Sequence, residues 1–91
     1  MAVTVKIPPQ LRTATGGEGA ARLEGATVGE VLNALYERHG ELRGRVADDE
    51  GALRRFVNVY LDGEDVRFLD GLETAVKDGA ELQILPAVAG G

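Results

Sequence analysis

The chain has 91 residues, with 10 Lys and Arg against 15 Asp and Glu, no cysteine and 4% aromatic residues. This length predicts one domain with a single modest core, and the absence of cysteine excludes disulfides, thiolate catalysis and zinc–thiolate sites. A net charge of −5 and so few aromatic side chains disfavour nucleic-acid binding and favour a basic protein partner.

The chain opens with a predicted β-hairpin. In AVTVKIP, Val3, Val5 and Ile7 alternate with polar residues, which is typical of a half-buried strand. Pro8 and Pro9 end its ladder, TATGGEG is predicted to be a turn or loop, and ARLEG a short returning strand. The opening residues show no cationic segment before a long apolar run, and no apolar run is long enough to cross a bilayer. We therefore expect a cytoplasmic protein with no membrane partner.

The segment ATVGEVLNALYERHG predicts the main helix, over residues 27–39. Thr27 and Glu30 have the spacing of a capping box, and Gly40 is a natural stop. Four apolar residues at helical spacing form a face that we expect to pack on a sheet: Val28, Val31, Leu32 and Leu35.

The second half of the chain predicts a loop, a hairpin and a last strand. Residues 41–54 are polar and interrupted by glycine, which favours a loop with no more than one helical turn. RFVNVYLDGEDVRF alternates apolar and polar residues around Asp62 and Gly63, a strong tight-turn pair. LETAVKDGAELQILP predicts a short turn or helical segment and then a strand over residues 81–85, so the order is strand, strand, helix and three strands.

Three motifs that could suggest a functional site are better explained as parts of the structure. His39 lies at the predicted helix end, and the chain has no second histidine or cysteine to complete a metal or catalytic site. The glycines of residues 16–19 are not followed by the lysine and hydroxyl residue of a phosphate-binding loop, and the acids of residues 48–50 lack the spacing of a calcium loop. We therefore expect no catalytic residue and no metal site on this chain.

The end of the chain, LPAVAGG, is not explained by folding. Ala and Gly have little to bury against the entropy of ordering them, so residues 86–91 are predicted to form a flexible tail that follows a domain over residues 1–85. Extended, this tail would reach roughly 20 Å, enough to thread the Gly91 carboxylate into another protein's active site. There ATP would convert the carboxylate into an acyl adenylate, and a nucleophile would displace AMP. A partner would recognise the tail by the three residues before this carboxylate: Val88, Ala89 and Gly90.

These motifs resemble the ubiquitin-like sulfur carrier proteins of the ThiS/MoaD type. That family includes the small subunit of molybdopterin synthase and the sulfur carrier of thiamine thiazole synthesis. The similarity covers essentially the whole chain and is carried by VTVKIP, TVGEVLNAL, FVNVYLDGEDVRF, LETAVKDGAELQILP and AVAGG. KDGAELQILP is the most specific stretch, because a turn, a final strand and a short diglycine tail follow at the family's spacing. Within the family, RFVNVYLDGEDVRF and LPAVAGG are most similar to the actinobacterial carrier that supplies sulfur for cysteine synthesis.

The resemblance implies an α+β protein with the β-grasp fold, a mixed sheet wrapped over the helix at residues 27–39. It implies that an E1-like enzyme uses ATP to adenylate Gly91, which then becomes a thiocarboxylate. The sulfur would pass to a biosynthetic enzyme that is cysteine-synthase-like or another sulfur-transferring synthase, for cysteine, a cofactor or a specialised metabolite such as a thiosugar. The carried-over functional positions are Gly90 and Gly91 only, and no tightly bound cofactor is implied.

Two other functions stay open. The same tail chemistry serves a ubiquitin-like modifier that is joined through Gly91 to lysines of other proteins. A binding subunit with an inert tail is the third. For an activating enzyme we expect docking on the sheet near the last strand, with Leu85 and Val88 as apolar contacts and with basic residues of the enzyme facing an acidic surface.

Overall fold

Within residues 1–86, which the computed structural model describes, five strands form one mixed sheet. The strands are β1 (Ala2–Lys6), β2 (Ala20–Glu24), β3 (Val57–Leu61), β4 (Glu64–Asp65) and β5 (Glu81–Pro86). The helices are α1 (Val28–Arg38) and α2 (Gly40–Val46), and short 3₁₀ segments cover Pro9–Thr15, Val66–Phe68 and Gly71–Glu73. The predicted order of strands around one main helix is confirmed.

The last strand, β5, lies at the centre of the sheet, whose order is β2-β1-β5-β3-β4. β1 runs parallel to β5, with Lys6 opposite Gln83, and β3 runs antiparallel on the other side, with Val57 opposite Pro86. β2 and β4 pair antiparallel with β1 and β3 at the two edges. The two ends of the described chain are therefore neighbours in a mixed sheet that carries α1, which confirms the predicted β-grasp fold.

A capping box holds the start of α1. Thr27 Oγ1 accepts a hydrogen bond from the Glu30 amide at 3.2 Å, and Glu30 Oε1 accepts one from the Ala26 amide at 3.0 Å, so two donors are satisfied. The helix ends at Arg38, with His39 as its C-cap. The predicted inward face is confirmed, because four residues are at most 1% exposed: Val28, Val31, Leu32 and Leu35.

The core fills the space between α1 and the inner face of the sheet. The inner face is formed by alternate strand residues that are fully buried: Val3, Val5, Val59, Leu82 and Ile84. The intervening residues form the outer face, on the side of the sheet away from α1: Thr4, Lys6, Asn58, Tyr60, Glu81, Gln83 and Leu85. This alternation follows from the two-residue period of a strand.

Two segments that were expected to be loops are helical. Residues 40–46 form α2, because Leu42 and Val46 lie one turn apart and are both fully buried. The 3₁₀ helix Pro9–Thr15 buries Leu11 and Ala14 and takes up the first three residues of the turn or loop predicted over residues 13–19. Pro8 and Pro9 end β1, because proline has no backbone N–H to donate to a neighbouring strand. Pro9 begins this helix, because proline fits the first helical turn.

The predicted hairpin of β3 and β4 turns at Asp62 and Gly63. Their φ angles are +49° and +92°, the left-handed conformation that a tight hairpin turn needs. Asp62 Oδ1 also accepts a hydrogen bond from the Glu81 amide at 3.0 Å, which ties the turn to the start of β5. β4 has only two residues because the chain then enters the 3₁₀ segment that buries Val66.

Candidate functional site

The end of β5 is the part of the candidate site that the structure describes. Four predicted site residues lie outside the described residues: Val88, Ala89, Gly90 and Gly91. We call residues 84–86 the tail root. The last pair between β3 and β5 joins Val57 and Pro86, so the side chains around this pair form the surface from which the chain continues towards Gly91.

Apolar side chains are exposed beside the tail root. Leu85 is 37% exposed and lies opposite Asn58 on the outer face. Phe56, immediately before β3, is 56% exposed. The expected exposure of Leu85 is confirmed, whereas its predicted companion Val88 lies outside the described part of the chain. Large apolar groups at the centre of a patch are typical of protein interfaces.

A groove of about 460 Å³ lies on the β1 side of the tail root, and Lys6, Arg12 and Leu85 are among the residues that line it. Arg12 Nε donates a hydrogen bond to Ile7 O at 3.1 Å. The Arg12 guanidinium lies against Gly19, where an added Cβ would come within 3.0 Å of Nη2. The groove therefore joins two cations to the apolar end of β5.

Arginines border the tail root on the β3 side. Arg67 Nη1 donates to Asn58 Oδ1 at 2.7 Å, and Arg67 Nη2 donates to Arg54 O at 2.8 Å. Arg54 Nε donates in turn to a carbonyl of α2 at 2.8 Å, and Arg55 is exposed beside it. Because Asn58 is the partner of Leu85, these contacts place the Arg67 guanidinium next to the tail root.

Carboxylates collect at the opposite end of β5: Glu24, Asp62, Glu64, Asp78 and Glu81. Asp62 is bonded to the Glu81 amide, and Glu64 follows the same turn. Asp78 Oδ1 accepts from the Ala2 amide at 2.8 Å, and Glu24 lies opposite Ala2 across β1 and β2. The start of β5 is therefore acidic.

The structure gives His39 a structural position. It caps α1, and its Nε2 lies 3.5 Å from Glu18 Oε1. Nowhere in residues 1–86 do three or more His, Cys, Asp or Glu side chains form a group that could hold a metal ion. The helices of the same residues are all too short or too polar to span a membrane.

Tyr36 is the described residue whose pKa shifts clearly. Burial raises the pKa of Tyr36 to about 12, and the nearby Arg43 acts in the opposite direction. The phenol therefore stays neutral at physiological pH. Tyr36 lies among the buried residues of α1, away from the tail root, so this shift concerns stability.

The cations around the tail root are not apparent from the sequence alone. Lys6 is recognisable as an outward residue of the first strand, and Arg54 and Arg55 precede β3. Their link to the tail requires the pairing of β1 and β3 with β5, and the placement of Arg67 requires its contact with Asn58. The sequence offers one signal for this surface, namely a cation, Lys6, at an outward position of a predicted strand.

A mixed five-stranded sheet around one main helix, with the last strand at its centre, defines a ubiquitin-like β-grasp protein. Residues 5–91 match the model of the ThiS family. The chain belongs to the ThiS family, and the resemblance inferred from its motifs is confirmed.

The similarity extends over the full length of known carriers. The chain is 47% identical over 93 residues to sulfur carrier protein CysO of Mycobacterium tuberculosis, and the match covers 100% of both. A chain in the crystal structure of the BexX/CysO complex of Amycolatopsis orientalis superposes with a TM-score of 0.91 and 54% identity, covering 98% of this chain and 99% of that chain. SAMP1 of Haloferax volcanii, a small archaeal modifier protein, superposes with a TM-score of 0.86 and 33% identity, covering 100% of both. The class that these matches support is a sulfur carrier protein.

Proposed function

We propose that the chain carries sulfur as a thiocarboxylate on Gly91 and donates it in biosynthesis. The observation that carries this proposal is the full-length match to the sulfur carrier CysO, taken with Gly90 and Gly91 at the end of the sequence. The fold supports it, because β5 ends at Pro86. Residues 87–91 then span about 16 Å when extended, which is long enough to enter a partner's active site.

The chemistry takes place in the partner. A carboxylate oxygen of Gly91 attacks the α-phosphorus of ATP and pyrophosphate leaves, so that an acyl adenylate forms. Sulfide then bonds to the acyl carbon while the bond from that carbon to the AMP oxygen breaks, which gives the thiocarboxylate and AMP. Glycine leaves no Cβ beside the reacting carbon, so a narrow channel admits the tail. The chain is a protein co-substrate rather than an enzyme, and ATP is used by the activating partner.

Two partner enzymes follow from this chemistry. The first is an E1-like adenylating enzyme, which docks on the outer face beside Leu85. The second is a sulfur-accepting biosynthetic enzyme, either cysteine-synthase-like or another sulfur-transferring synthase. The match to CysO favours cysteine biosynthesis, and the relative found in a complex with BexX supports a partnership with a second protein. A cofactor or a specialised metabolite such as a thiosugar is the other product class, and we place the reactions in the cytoplasm.

The alternative function is a ubiquitin-like modifier that is conjugated through Gly91 to lysines. Similarity to the modifier SAMP1 favours it. Mass spectrometry of cell extract separates the two functions. A carrier shows a thiocarboxylate on the free protein, whereas a modifier leaves Gly-Gly remnants on lysines of other proteins.

The proposal is tested with the purified chain, the E1-like enzyme of the source organism, ATP and sulfide. Intact mass measurement should show one oxygen of wild type replaced by sulfur. The matched control adds one residue after Gly91, which moves the carboxylate by about 3.3–3.6 Å. Since misplacement by ~1 Å costs about a hundredfold in rate, the extended chain should stay unmodified. Wild type left unmodified by an active enzyme, or equal modification of both chains, contradicts the proposal.

A further inference from the structure

The charges of this acidic protein are segregated along its central strand. The carboxylate end of β5 begins at Glu81, beside Asp62 and Asp78. At the other end, Lys6 and Arg12 line the groove beside the tail root, Arg67 is bonded to Asn58 opposite Leu85, and Arg54 and the exposed Arg55 precede β3. We call these five cations the cationic rim. β5 spans six residues, so the two ends are roughly 17 Å apart at the rise of a strand.

Carboxylates of the described residues do not neutralise the cationic rim. Within residues 1–86, the ion pairs closer than 4.0 Å join the Met1 amino group to Glu24 and His39 to Glu18, and neither contains Lys or Arg. Glu18 is the carboxylate adjacent in sequence to the groove, and it contacts His39 instead. No Lys or Arg of the rim therefore has a carboxylate partner within 4.0 Å in the described residues; the nearby Asp65 carboxylate accepts from the Arg67 amide rather than from its guanidinium.

Several rim guanidinium groups are held in place by neutral oxygens. Arg12 donates to Ile7 O, and Arg67 donates to Asn58 Oδ1 and Arg54 O. These bonds orient the guanidinium without cancelling its charge. A preoriented guanidinium loses less side-chain entropy when it binds a carboxylate, and it offers the paired donors that suit two carboxylate oxygens.

The cationic rim lies beside exposed apolar groups. Leu85, which is 37% exposed, lines the groove with Lys6 and lies opposite Asn58, the partner of Arg67. Phe56 comes immediately before β3 and is 56% exposed. An apolar centre with a polar border is the usual organisation of a protein interface, and aromatic and arginine side chains are enriched among its strongest contacts. This surface therefore fits a protein partner.

The local charge, rather than the net charge, decides which partner surface fits. The net charge of −5 favours a basic partner, but the carboxylates at the start of β5 are roughly 17 Å away. This distance is about twice the Debye length of ~8 Å at physiological ionic strength. The electrostatic interaction of a partner at the tail root is therefore determined by the cationic rim.

We infer that the activating enzyme presents an acidic surface around the channel that receives the tail, with an apolar cleft for Phe56 and Leu85. This inference rests on the proposed function and specifies the chemistry of its partner. Asp and Glu carboxylates of the enzyme pair with the cationic rim, while the acidic end of β5 stays outside the contact. The inferred partner surface is thus acidic, whereas the net charge of the chain alone indicates a basic one.

Steady-state kinetics of adenylation by the purified E1-like enzyme test the inference, with the chain as the varied substrate. Lys6→Glu and Arg55→Glu reverse the charge of two exposed rim residues. We expect kcat/KM to fall about tenfold or more, through a higher KM with little change in kcat. For Lys6→Gln and Arg55→Gln, which remove the charge without reversing it, kcat/KM should fall by less. Glu64→Lys and Glu81→Lys are matched reversals at the acidic end, and kcat/KM should stay within about twofold because these charges are screened from the contact.

The outcomes separate this inference from the proposed function. If rim reversals leave kcat/KM unchanged or raise it, or if both ends of β5 respond equally, the acidic partner surface is overturned while sulfur transfer stands. If the enzyme does not adenylate wild type, the proposed function fails and the inference fails with it. Thermal unfolding checks that each variant is folded, and the Gln variants supply the comparison where a Glu variant does not fold.

Discussion

The α-carbon of Gly25 lies directly against Val31 in the first turn of α1. A Cβ added to Gly25 would be 2.8 Å from Val31 Cγ2 and 2.8 Å from the Val31 amide nitrogen. Gly25 follows β2, and its amide donates to Met1 O at 3.1 Å. This contact sets how closely the helix approaches the edge of the sheet.

Gly25→Ala should therefore destabilise the protein by about 1–3 kcal/mol, because the backbone or Val31 has to move. Gly44→Ala in α2 is the matched control, since a Cβ there meets no atom within 4 Å. That change should stabilise by up to about 1 kcal/mol, because alanine favours a helix. Denaturant unfolding measures both, and equal effects of the two substitutions would show that the approach at Gly25 is not tight.

Leu32→Ala should lower the free energy of unfolding by about 2–5 kcal/mol. Leu32 is 1% exposed, so its removal leaves a cavity between α1 and the sheet. Asn33→Ala, on the exposed side of the same helix, should change stability by no more than about 0.5 kcal/mol. A melting curve unchanged by Leu32→Ala would mean that the helix packs through another face.

Thr27→Ala should cost about 1 kcal/mol, because the Glu30 amide loses its acceptor at the start of α1. Thr27→Ser keeps the hydroxyl and should retain most of that stability. Urea midpoints of the two variants make the comparison. Equal loss in both would assign the effect to the missing methyl group rather than to the cap.

Tyr36→Phe should change how stability depends on pH. Burial raises the pKa of Tyr36 from 10.0 to about 12, so the folded state binds more protons than the unfolded state between these values. The stability that this pKa shift contributes is fully present below pH 10 and is lost as the pH rises through about 12. The loss amounts to about 2–3 kcal/mol at most.

The difference in unfolding free energy between wild type and Tyr36→Phe isolates this titration from the other groups that ionise in alkali. It should shift in favour of the variant between about pH 10 and pH 12. Parallel stability curves for the two proteins across that range would exclude a raised pKa at Tyr36.

Gly91→Ala should slow adenylation while leaving thermal unfolding unchanged. The added methyl group would lie beside the reacting carbon and crowd the proposed channel of the activating enzyme, whereas residue 91 comes five positions after the last described residue, Pro86. Intact mass of the thiocarboxylate, followed over time with the E1-like enzyme, measures the rate. Activation as fast as that of wild type would show that the channel does not select glycine.

Local patterns predicted most of the fold. The capping box at Thr27 and the buried face of α1 depend on residues within a few positions of one another, as does the turn at Asp62 and Gly63. The sequence does not predict the full length of α2, because Gly44 and polar neighbours obscure the pair Leu42 and Val46, whose one-turn spacing is the available signal.

The surface around the tail root depends on pairings between distant parts of the chain. Lys6 reaches the end of β5 only because the first and last strands are neighbours, and Arg67 reaches it through a side-chain bond to Asn58. Gly90 and Gly91 are predictable as a site from sequence alone, because the prediction depends on their residue type and position in the chain and on no pairing with a distant segment. Their reactivity stays a prediction, since they lie outside the described residues.

The central position of β5 also determines how the protein responds to force. β5 is hydrogen-bonded to β1 on one side and to β3 on the other, so a pull on the chain beyond Pro86 loads both ladders in shear. Their hydrogen bonds have to break together, whereas an edge strand would peel away one bond at a time. If residues 87–91 are drawn into an enzyme as proposed, we therefore expect the domain to stay folded under that pull.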